Sequence, residues 1–421
     1  MPSFALRAFR YRNYRLFFGG QGLSLIGTWL TIVATNWLVY RLAVENGYEP
    51  ARTLGYAAFL GQLPVLLVGP FGGVLADRFS PRKLLLATQT VAMIQSGILA
   101  WLAFARTITI PQIVALNILG GVVNAFDMPA RQAFIFEIIE DREDLPNAIA
   151  LNSSMFNGAR LLGPAVAGLI IAAAGEGWCF LVDAISYLAV IAALAAMRVP
   201  PRVRKPSGHT VFREMLHGLR YSAGFPPVRS ALTLVAVISL MTMAVTVLLP
   251  IFATNMSGPG HGASVLGFLQ AASGSGALLG GIYLAARRSV RGLGRIVGMS
   301  CLTLGVAVFC LGLSNDLLLS LVCMFTMGFG MLLTFASLNT ILQTIIDDDK
   351  RGRVMSLFGI SFLGVAPFGN LLGGVLASHI GAHRTAYFAG CACCVAGVVF
   401  LLRLPGLRKI IGPIYQSKGV V

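Results

Sequence analysis

Twelve apolar segments, each about as long as a bilayer crossing, divide this chain of 421 residues. A helix needs about 20 apolar residues to cross the hydrocarbon core, and every backbone polar group inside lipid must be paired within the protein. The segments therefore predict an all-α polytopic membrane protein with twelve transmembrane helices. The expected spans are 16–40, 53–75, 84–105, 110–133, 148–174, 178–197, 229–254, 264–286, 294–314, 317–343, 354–378 and 385–404.

The amino-acid composition excludes a soluble protein. Hydrophobic residues make up 56% of the chain and charged residues 11%, whereas soluble domains carry about 25% charged residues. The formal net charge of +16 does not indicate nucleic acid as a partner, because the arginines and lysines lie in loops between apolar segments. They concentrate on the side that also holds both termini. This asymmetry predicts that both termini lie in the cytoplasm.

The longest polar stretch, 198–228, lies near the middle of the chain and is rich in arginine and proline. It separates six spans from six. We therefore expect an N-terminal six-helix bundle (1–197), a basic cytoplasmic linker, and a C-terminal six-helix bundle with a short tail (229–421). The linker cations are expected to meet anionic membrane lipids.

Neither the cysteines nor the histidines form a pattern that predicts a metal site or a disulfide framework. The seven cysteines all fall in apolar segments, where cysteine acts as a small apolar residue. The five histidines lie in loops or at the ends of spans, and the sequence has no phosphate-binding loop for a nucleotide. We therefore expect no metal, no cofactor and no enzymatic activity.

Polar side chains recur at helical spacing within several spans. In the first span the steps between five polar residues are 3, 4, 3 and 4, which places them on one helical face. Such a face either lines a substrate cavity or forms hydrogen bonds between helices; the length of the stripe favours the cavity. The seventh span repeats the spacing, and the fourth carries two asparagines on one face. The expected cavity residues are Gln21, Ser24, Thr28, Thr31, Thr35, Asn117, Asn124, Ser239, Thr242 and Thr246.

A short basic loop joins the second and third spans. Its run Gly73-Val74-Leu75-Ala76-Asp77-Arg78-Phe79-Ser80-Pro81-Arg82-Lys83 resembles the signature found at this place in the major facilitator superfamily of transporters. The resemblance implies the fold of that superfamily, with two six-helix bundles. It also implies a cytoplasmic gate, in which Asp77 faces the start of the eleventh span and Arg78 or Arg82 pairs with Asp127. The gating residues are then Gly73, Asp77, Arg78, Arg82, Lys83, Asp127 and Arg131.

Three further strings narrow the resemblance to one branch. They are Asp-Met-Pro-Ala-Arg-Gln-Ala at 127–133, Ala-Arg-Leu-Leu-Gly-Pro-Ala-Val-Ala-Gly at 159–168 and Arg-Gly-Arg-Val-Met-Ser at 351–356. They resemble the enterobactin exporters and related transmembrane secretion effectors. This implies a monomeric secondary transporter of the bacterial cytoplasmic (inner) membrane. It would export an amphiphilic small molecule, a siderophore or a drug, by alternating access driven by protons. Import by symport and lysophospholipid transport stay open, as do, more remotely, a transport-inactive receptor and a polytopic enzyme.

The fifth span contains a glycine and proline pattern, and its residues are Gly158, Gly163, Pro164 and Gly168. Proline bends a helix, and glycines let a neighbouring helix approach closely. The pattern resembles, in part, the antiporter motif of proton-driven exporters. Ordinary helix packing is the alternative interpretation.

Ionisable residues deep within the spans are few. Asp183 lies about five residues into the sixth span, and Arg160 lies near the middle of the fifth. Removal from water disfavours the charged form of a carboxyl group, so Asp183 is expected to take up and release a proton during transport. Arg160 is its possible partner, and a static ion pair between the two, or a hydrogen-bonded Asp183, is the alternative.

Overall fold

The computed structural model describes residues 4–198, 219–258, 260–287 and 289–418; for residues 4, 5, 70, 73–78, 348 and 349 it describes the backbone alone. Twelve helices in these ranges are long and apolar enough to cross a membrane, and no strand occurs among them. The predicted all-α class with twelve spans is confirmed. A 3-10 helix, Phe4–Arg10, precedes α1 (Arg12–Glu45), α2 (Pro50–Arg78), α3 (Pro81–Phe104), α4 (Ile110–Ile138), α5 (Leu145–Ala174), α6 (Glu176–Ala196), α7 (Pro226–Thr246), α8 (Leu249–Met256), α9 (Gly262–Ala285), α10 (Leu293–Leu313), α11 (Leu317–Ile345), α12 (Asp348–Gly359), α13 (Ala366–Ile380) and α14 (Ala382–Ser417).

The seventh span is shorter than predicted. The sequence predicts one helix over 229–254, whereas α7 ends at Thr246 and the short α8 begins at Leu249. Pro250 lies in the first turn of α8. Proline has no N–H to continue the hydrogen bonds of a preceding helix, but it is well tolerated at a helix start. The apolar run therefore continues across a break in the backbone.

The eleventh span is also interrupted. The sequence predicts one helix over 354–378, but a π-helical stretch, Ile360–Gly364, separates α12 from α13. Pro367 lies in the first turn of α13, where it cannot donate to a carbonyl of the preceding turn. The hydroxyl of Ser239 on α7 donates to the carbonyl of Phe362, at 2.5 Å. A side chain of a neighbouring helix thus supplies a donor within the irregular stretch.

The last helix is longer than predicted. The expected span ended at residue 404, whereas α14 continues to Ser417. Next to its end, the ammonium group of Lys418 donates to the carbonyl of Ile346, at the C-terminus of α11, over 3.0 Å. A cation is favourable there because the last carbonyls of a helix carry partial negative charge.

The chain divides into two compact units, and the residues of each are not continuous in sequence. Unit 1 comprises 1–48, 60–208 and 258–271, and unit 2 comprises 49–59, 209–257 and 272–421. The domain limits expected from the sequence, 1–197 and 229–421, stay a prediction.

In unit 1, α1 packs against α5 and α6, and α3 packs against α4 and α6. One end of this unit holds Arg10, Arg82 and Arg198 and is called here the basic side. Arg10 forms an ion pair with Asp144 at 2.8 Å and so ties the N-terminal 3-10 helix to the start of α5. The core at this end contains the buried side chains Tyr14, Phe17, Leu85, Phe134 and Leu194.

In unit 2, α10 packs closely against α11 and α14. A Cβ atom on Gly390 of α14 would lie 2.5 Å from the backbone nitrogen of Phe309 and 2.7 Å from the carbonyl oxygen of Gly305 on α10. Small residues give membrane helices their closest packing, since lipid provides no hydrophobic force between them. The glycines therefore bring these two backbones into direct contact.

We expect Gly390→Ala to lower the stability of the protein by about 1–3 kcal/mol, because the new methyl group meets backbone atoms that cannot move aside. Thermal unfolding in detergent micelles measures the effect. Gly406→Ala is the matched control, since it lies on the same helix and its added Cβ would meet nothing within 4 Å. Equal unfolding midpoints for the two variants would contradict the contact.

Candidate functional site

Asp183 is a carboxylic acid held inside unit 1. It lies in the second turn of α6, and only 1% of it is exposed. Thr31 of α1 donates to Oδ2 at 2.7 Å, and Ser96 of α3 donates to the same oxygen at 2.8 Å. Space for the carboxyl comes from Gly27 of α1, since a Cβ there would lie 2.6 Å from Oδ1 of Asp183. Three helices therefore converge on one acid.

The neutral surroundings of Asp183 determine what it can do. Hydroxyl groups donate hydrogen bonds to an ionised carboxylate and can accept one from a protonated acid. Oδ1 has no hydrogen-bond partner among the described residues. A buried carboxylate without a cation or full hydrogen bonding is unfavourable in its charged form. The arrangement suits a group that binds and releases a proton.

The expected pairing of Asp183 with Arg160 is wrong for this conformation. Among the described side chains, the hydrogen bonds to the carboxyl oxygens of Asp183 come from hydroxyl groups, and no ion pair with Arg160 occurs. Arg160 itself is partly exposed on α5. The sequence placed both residues at depth in adjacent spans but contained no information on which face of α5 carries the arginine.

A second buried acid, Asp127, lies in α4 towards the basic side. Thr88 and Gln89 of α3 donate to its Oδ1 at 2.8 and 2.7 Å, and Arg131, one turn further along α4, forms an ion pair with Oδ2. Asp127 is 3% exposed. This acid, unlike Asp183, has a guanidinium beside it.

Arg82, one of the two arginines expected to pair with Asp127, contacts α6 instead in this structure, and the pairing of either arginine with Asp127 in the closed gate stays a prediction. Arg82 donates to the carbonyl oxygens of Leu194 and Ala195, at 2.8 and 3.0 Å. These carbonyls belong to the last turn of α6, where they have no partner within the helix and carry partial negative charge. The guanidinium therefore caps α6.

The remaining residues of the expected gate are less informative. Lys83 is exposed. The side chains of Gly73, Asp77 and Arg78 lie outside the described residues, so the gate as a whole stays a prediction.

The polar stripe of α1 faces other helices of unit 1. Gln21, Ser24 and Thr35 are buried, with exposures of 2, 1 and 7%, and Thr31 contacts Asp183. The hydroxyl of Thr28 donates to the carbonyl of Ser24, at 2.9 Å. The hydrogen-bonding role is therefore visible for part of the stripe, while its role in a substrate cavity stays a prediction.

The other expected cavity residues are divided between the two units, and their role in a substrate cavity stays a prediction. In unit 2, Ser239 and Thr242 are fully buried, and Thr246 donates to the carbonyl of Thr242 at 2.8 Å. In unit 1, Asn117 lies against Gly61 of α2, where an added Cβ would be 3.0 Å from the Cβ of the asparagine. Asn124, two turns along α4, is exposed.

The glycine and proline pattern of α5 marks close helix contacts at two of its glycines. A Cβ on Gly163 would collide with the side chain of Trp29 on α1, and one on Gly168 would lie 2.8 Å from the carbonyl oxygen of Ala263 on α9. Gly158 has open space around it. Pro164 lies within α5, and its carbonyl oxygen would be 2.5 Å from a Cβ on Gly267.

Sequence reasoning missed the contributions of α3. Thr88, Gln89 and Ser96 bind the two buried acids, and Gln95 donates to the carbonyl of Leu116 on α4 at 2.8 Å. The signal was present, because positions 88, 92, 95 and 96 share one helical face by the spacing used for α1.

A sequence profile of the transmembrane secretion effector family matches residues 3–410. The chain belongs to this family. Its members are transporters of the major facilitator superfamily, so the chain is a transporter and not an enzyme. Twelve spans and bacterial relatives identify it as a multi-pass protein of the bacterial inner membrane.

Relatives match over nearly the full length. The Staphyloferrin A transporter of Staphylococcus aureus is 25% identical over 92% of this chain and 95% of its own length. The multidrug efflux pump Tap of Mycolicibacterium fortuitum is 26% identical over 91% of this chain and 93% of its own length. Macrolide efflux protein A of Streptococcus pyogenes is 24% identical over 90% of this chain and 94% of its own length.

Two solved structures have a similar fold. A POT family transporter in complex with 5-aminolevulinic acid gives a TM-score of 0.73 at 12% identity, over 94% of this chain and 96% of that chain. A point mutant of the nucleoside transporter NupG gives a TM-score of 0.71 at 13% identity, over 92% of this chain and 99% of that chain. At such identities the likeness shows the fold alone.

The contact between Asp127 and Arg131 makes a prediction about stability. Asp127→Asn removes the charge that pairs with Arg131. We expect a loss of about 1.5–2 kcal/mol, the lower part of the range for hydrogen bonds to charged groups, because the arginine is 22% exposed. Thermal unfolding in detergent measures it, with Glu140→Gln at an exposed acid as the control. The double variant Asp127→Asn/Arg131→Gln should recover part of the loss, and a purely additive result would argue against the pair.

Proposed function

We propose that the protein exports amphiphilic small molecules in exchange for protons, and that Asp183 binds the coupling proton. The single observation that carries the proposal is the environment of this acid. It is buried among helices α1, α3 and α6 and hydrogen-bonded to two hydroxyl groups, and no cation among the described side chains pairs with it. The free energy of ionising such a group depends on its surroundings, so movements of the surrounding helices can change it.

The class of substrate is supported by the relatives. Two of them are named as drug efflux proteins and a third as a siderophore transporter. We infer that the substrate of this chain is likewise an amphiphilic drug or siderophore that leaves the cytoplasm. The orientation follows from the positive-inside rule, which puts the basic side of unit 1 in the cytoplasm with both termini.

Transport by alternating access requires helices that open on one side and close on the other. Two glycine contacts, one within each unit, join helices from the first half of the sequence to helices from the second half, and we propose that they act in closure. In unit 2, a Cβ on Gly55, near the start of α2, would lie 2.8 Å from the Cα of Gly374 on α13. In unit 1, a Cβ on Gly168 of α5 would lie 2.8 Å from the carbonyl oxygen of Ala263, at the start of α9. The run from Gly73 to Lys83 is proposed as the gate at the cytoplasmic side.

The proposal predicts that Asp183→Asn uncouples transport from protons. Purified protein in proteoliposomes is tested with erythromycin, ethidium and staphyloferrin A, with and without a pH gradient. We expect gradient-driven transport to fall on the order of 100-fold, the scale of a lost proton-transfer group. Exchange of labelled for unlabelled substrate without a gradient should continue, because the amide keeps the shape of the carboxyl group.

Glu176→Gln is the matched control for this experiment. Glu176 is a second buried acid on α6, and it is ion-paired with Arg41 at 2.9 Å. Its variant should keep the response to the pH gradient. The proposal fails if Asp183→Asn retains the full gradient-driven rate, or if the wild-type protein moves none of the three compounds in response to a pH gradient.

A further inference from the structure

Arg160 is a cation at the middle of the 30-residue helix α5, about 20 Å from either end at ~1.5 Å per residue. The side chain is partly exposed, and its guanidinium forms no hydrogen bond or ion pair with the residues that the structure describes. An ionised side chain at this depth is unfavourable without a partner, and such residues ordinarily mark the path of a substrate or an ion. The position therefore indicates a binding role.

One face of α5 is exposed between Arg160 and the basic side. Ile149, Ser153 and Phe156 precede the arginine on this face, at steps of 4, 3 and 4 residues. Ile149 and Phe156 are each 46% exposed, and Ser153 is exposed as well. Beside them, the amide of Asn157 donates to the carbonyl of Ser153 at 2.9 Å. A surface with serine, asparagine and arginine is unfavourable against lipid, so it borders a space that water or a polar ligand can enter.

The same face of α5 is buried beyond Arg160. Pro164 and Ala167 continue it at steps of 4 and 3 residues, and both are buried. The carbonyl oxygen of Pro164 would lie 2.5 Å from a Cβ on Gly267 of α9, so the two backbones are in direct contact. Arg160 thus lies where the exposed part of this face ends.

Two aromatic rings lie beside this cation. Phe156 is one turn before Arg160, and its ring meets that of Trp29 on α1 edge to face, with centroids 6.4 Å apart. Gly163 allows this approach, since a Cβ there would collide with the side chain of Trp29. Aromatic rings offer a large apolar contact area, while a guanidinium can bind a carboxylate through two parallel hydrogen bonds. Together these groups match a molecule that is apolar at one part and anionic at another.

We propose that Arg160, Trp29 and Phe156 bind the substrate, and that the substrate is an amphiphile with an apolar or aromatic body and a carboxylate. This inference rests on the proposed function, in which the protein exports amphiphilic small molecules. The guanidinium binds the carboxylate, and the two rings pack against the apolar body. The site selects anionic over cationic amphiphiles, because a cation would be repelled by the guanidinium.

Helix α1 connects this site with the buried acid. Thr31 donates to Asp183 at 2.7 Å. Trp29 precedes Thr31 by two residues, so it projects from the opposite face of α1, since residues two apart in a helix are rotated by about 200°. Substrate and proton thus contact opposite faces of one helix at the same depth. A movement of α1 would change both binding sites together, which is how two ligands become linked.

Two xanthene dyes of similar ring system and opposite charge test the substrate class. Fluorescein is an aromatic anion with a carboxylate at neutral pH, and rhodamine 6G is an aromatic cation. Binding is measured by fluorescence anisotropy with purified protein in micelles of an uncharged detergent. Arg160→Gln should weaken fluorescein binding on the order of 10- to 100-fold, the scale of a hydrogen bond between charged groups. The affinity for rhodamine 6G should stay unchanged or rise.

Three further variants sharpen the measurement. Arg160→Lys should recover part of the lost fluorescein affinity, because lysine keeps the charge but not the paired donors. Phe156→Ala removes a ring that is 46% exposed, so the fold should persist while both dyes bind more weakly. Arg15→Gln is the matched control, since it removes an exposed arginine near the start of α1. It should bind both dyes as the wild-type protein does.

The inference is overturned if Arg160→Gln binds fluorescein as tightly as the wild-type protein, or if it loses both dyes equally, which would assign the arginine a structural role. A wild-type protein that does not prefer fluorescein to rhodamine 6G overturns it too. If Arg160→Gln does not fold, Arg160→Lys decides, and undiminished fluorescein binding in that variant counts against the site. Unchanged affinity for both dyes in Phe156→Ala overturns the role of the rings.

These binding measurements use no pH gradient, so they are independent of the test of the proposed function. If Asp183→Asn loses gradient-driven transport while Arg160→Gln binds fluorescein normally, the inference fails and the proposed function stands. If Asp183→Asn keeps the full driven rate, the proposed proton coupling fails, whatever the affinity of Arg160→Gln for the dyes.

Discussion

Polar groups inside a membrane protein must find their partners within the protein, and this constraint organises unit 1. An acid such as Asp183 cannot turn to water, so hydroxyl groups from two other helices point at it. Asp127 has the same requirement nearer the basic side, where Thr88 and Gln89 of α3 donate hydrogen bonds to it. The orientation of α3 follows from these contacts, since one helical face must serve both acids.

Close packing is the second requirement, and glycine meets it. Gly27 lets α1 approach α6 at the level of Asp183, because any Cβ there would displace the carboxyl group. Gly163 and Gly168 do the same for α5 against α1 and α9. Because lipid tails are as apolar as the helices, contact of this kind replaces the hydrophobic force that packs soluble proteins. Polar contacts and glycine contacts thus depend on each other, as short hydrogen bonds require close backbones.

Much of the architecture was predictable from the sequence, because the length of an apolar run reports directly on span number. Hydropathy could not locate the breaks at Pro250 and Pro367, since both prolines lie within apolar runs and only backbone hydrogen bonding reveals the interruption. The stripe on α1 was found by its spacing. The contact of Arg82 with α6 could not be found by spacing, because the carbonyls of α6 lie more than a hundred residues away in the chain. In addition, any free helix C-terminus attracts a guanidinium.

The contrast between the two buried acids separates their roles. Neutralising Asp127 would leave the guanidinium of Arg131 without its partner, and breaking a largely buried ion pair is costly. Neutralising Asp183 strands no cation among the described side chains, because its partners there are hydroxyl groups that can reverse their hydrogen bonds. The cost of changing the charge of Asp183 therefore depends mainly on how closely α1 and α3 hold those hydroxyls to it. A conformational change that shifts these helices would alter the proton affinity of Asp183, which is the linkage that the proposed proton coupling requires.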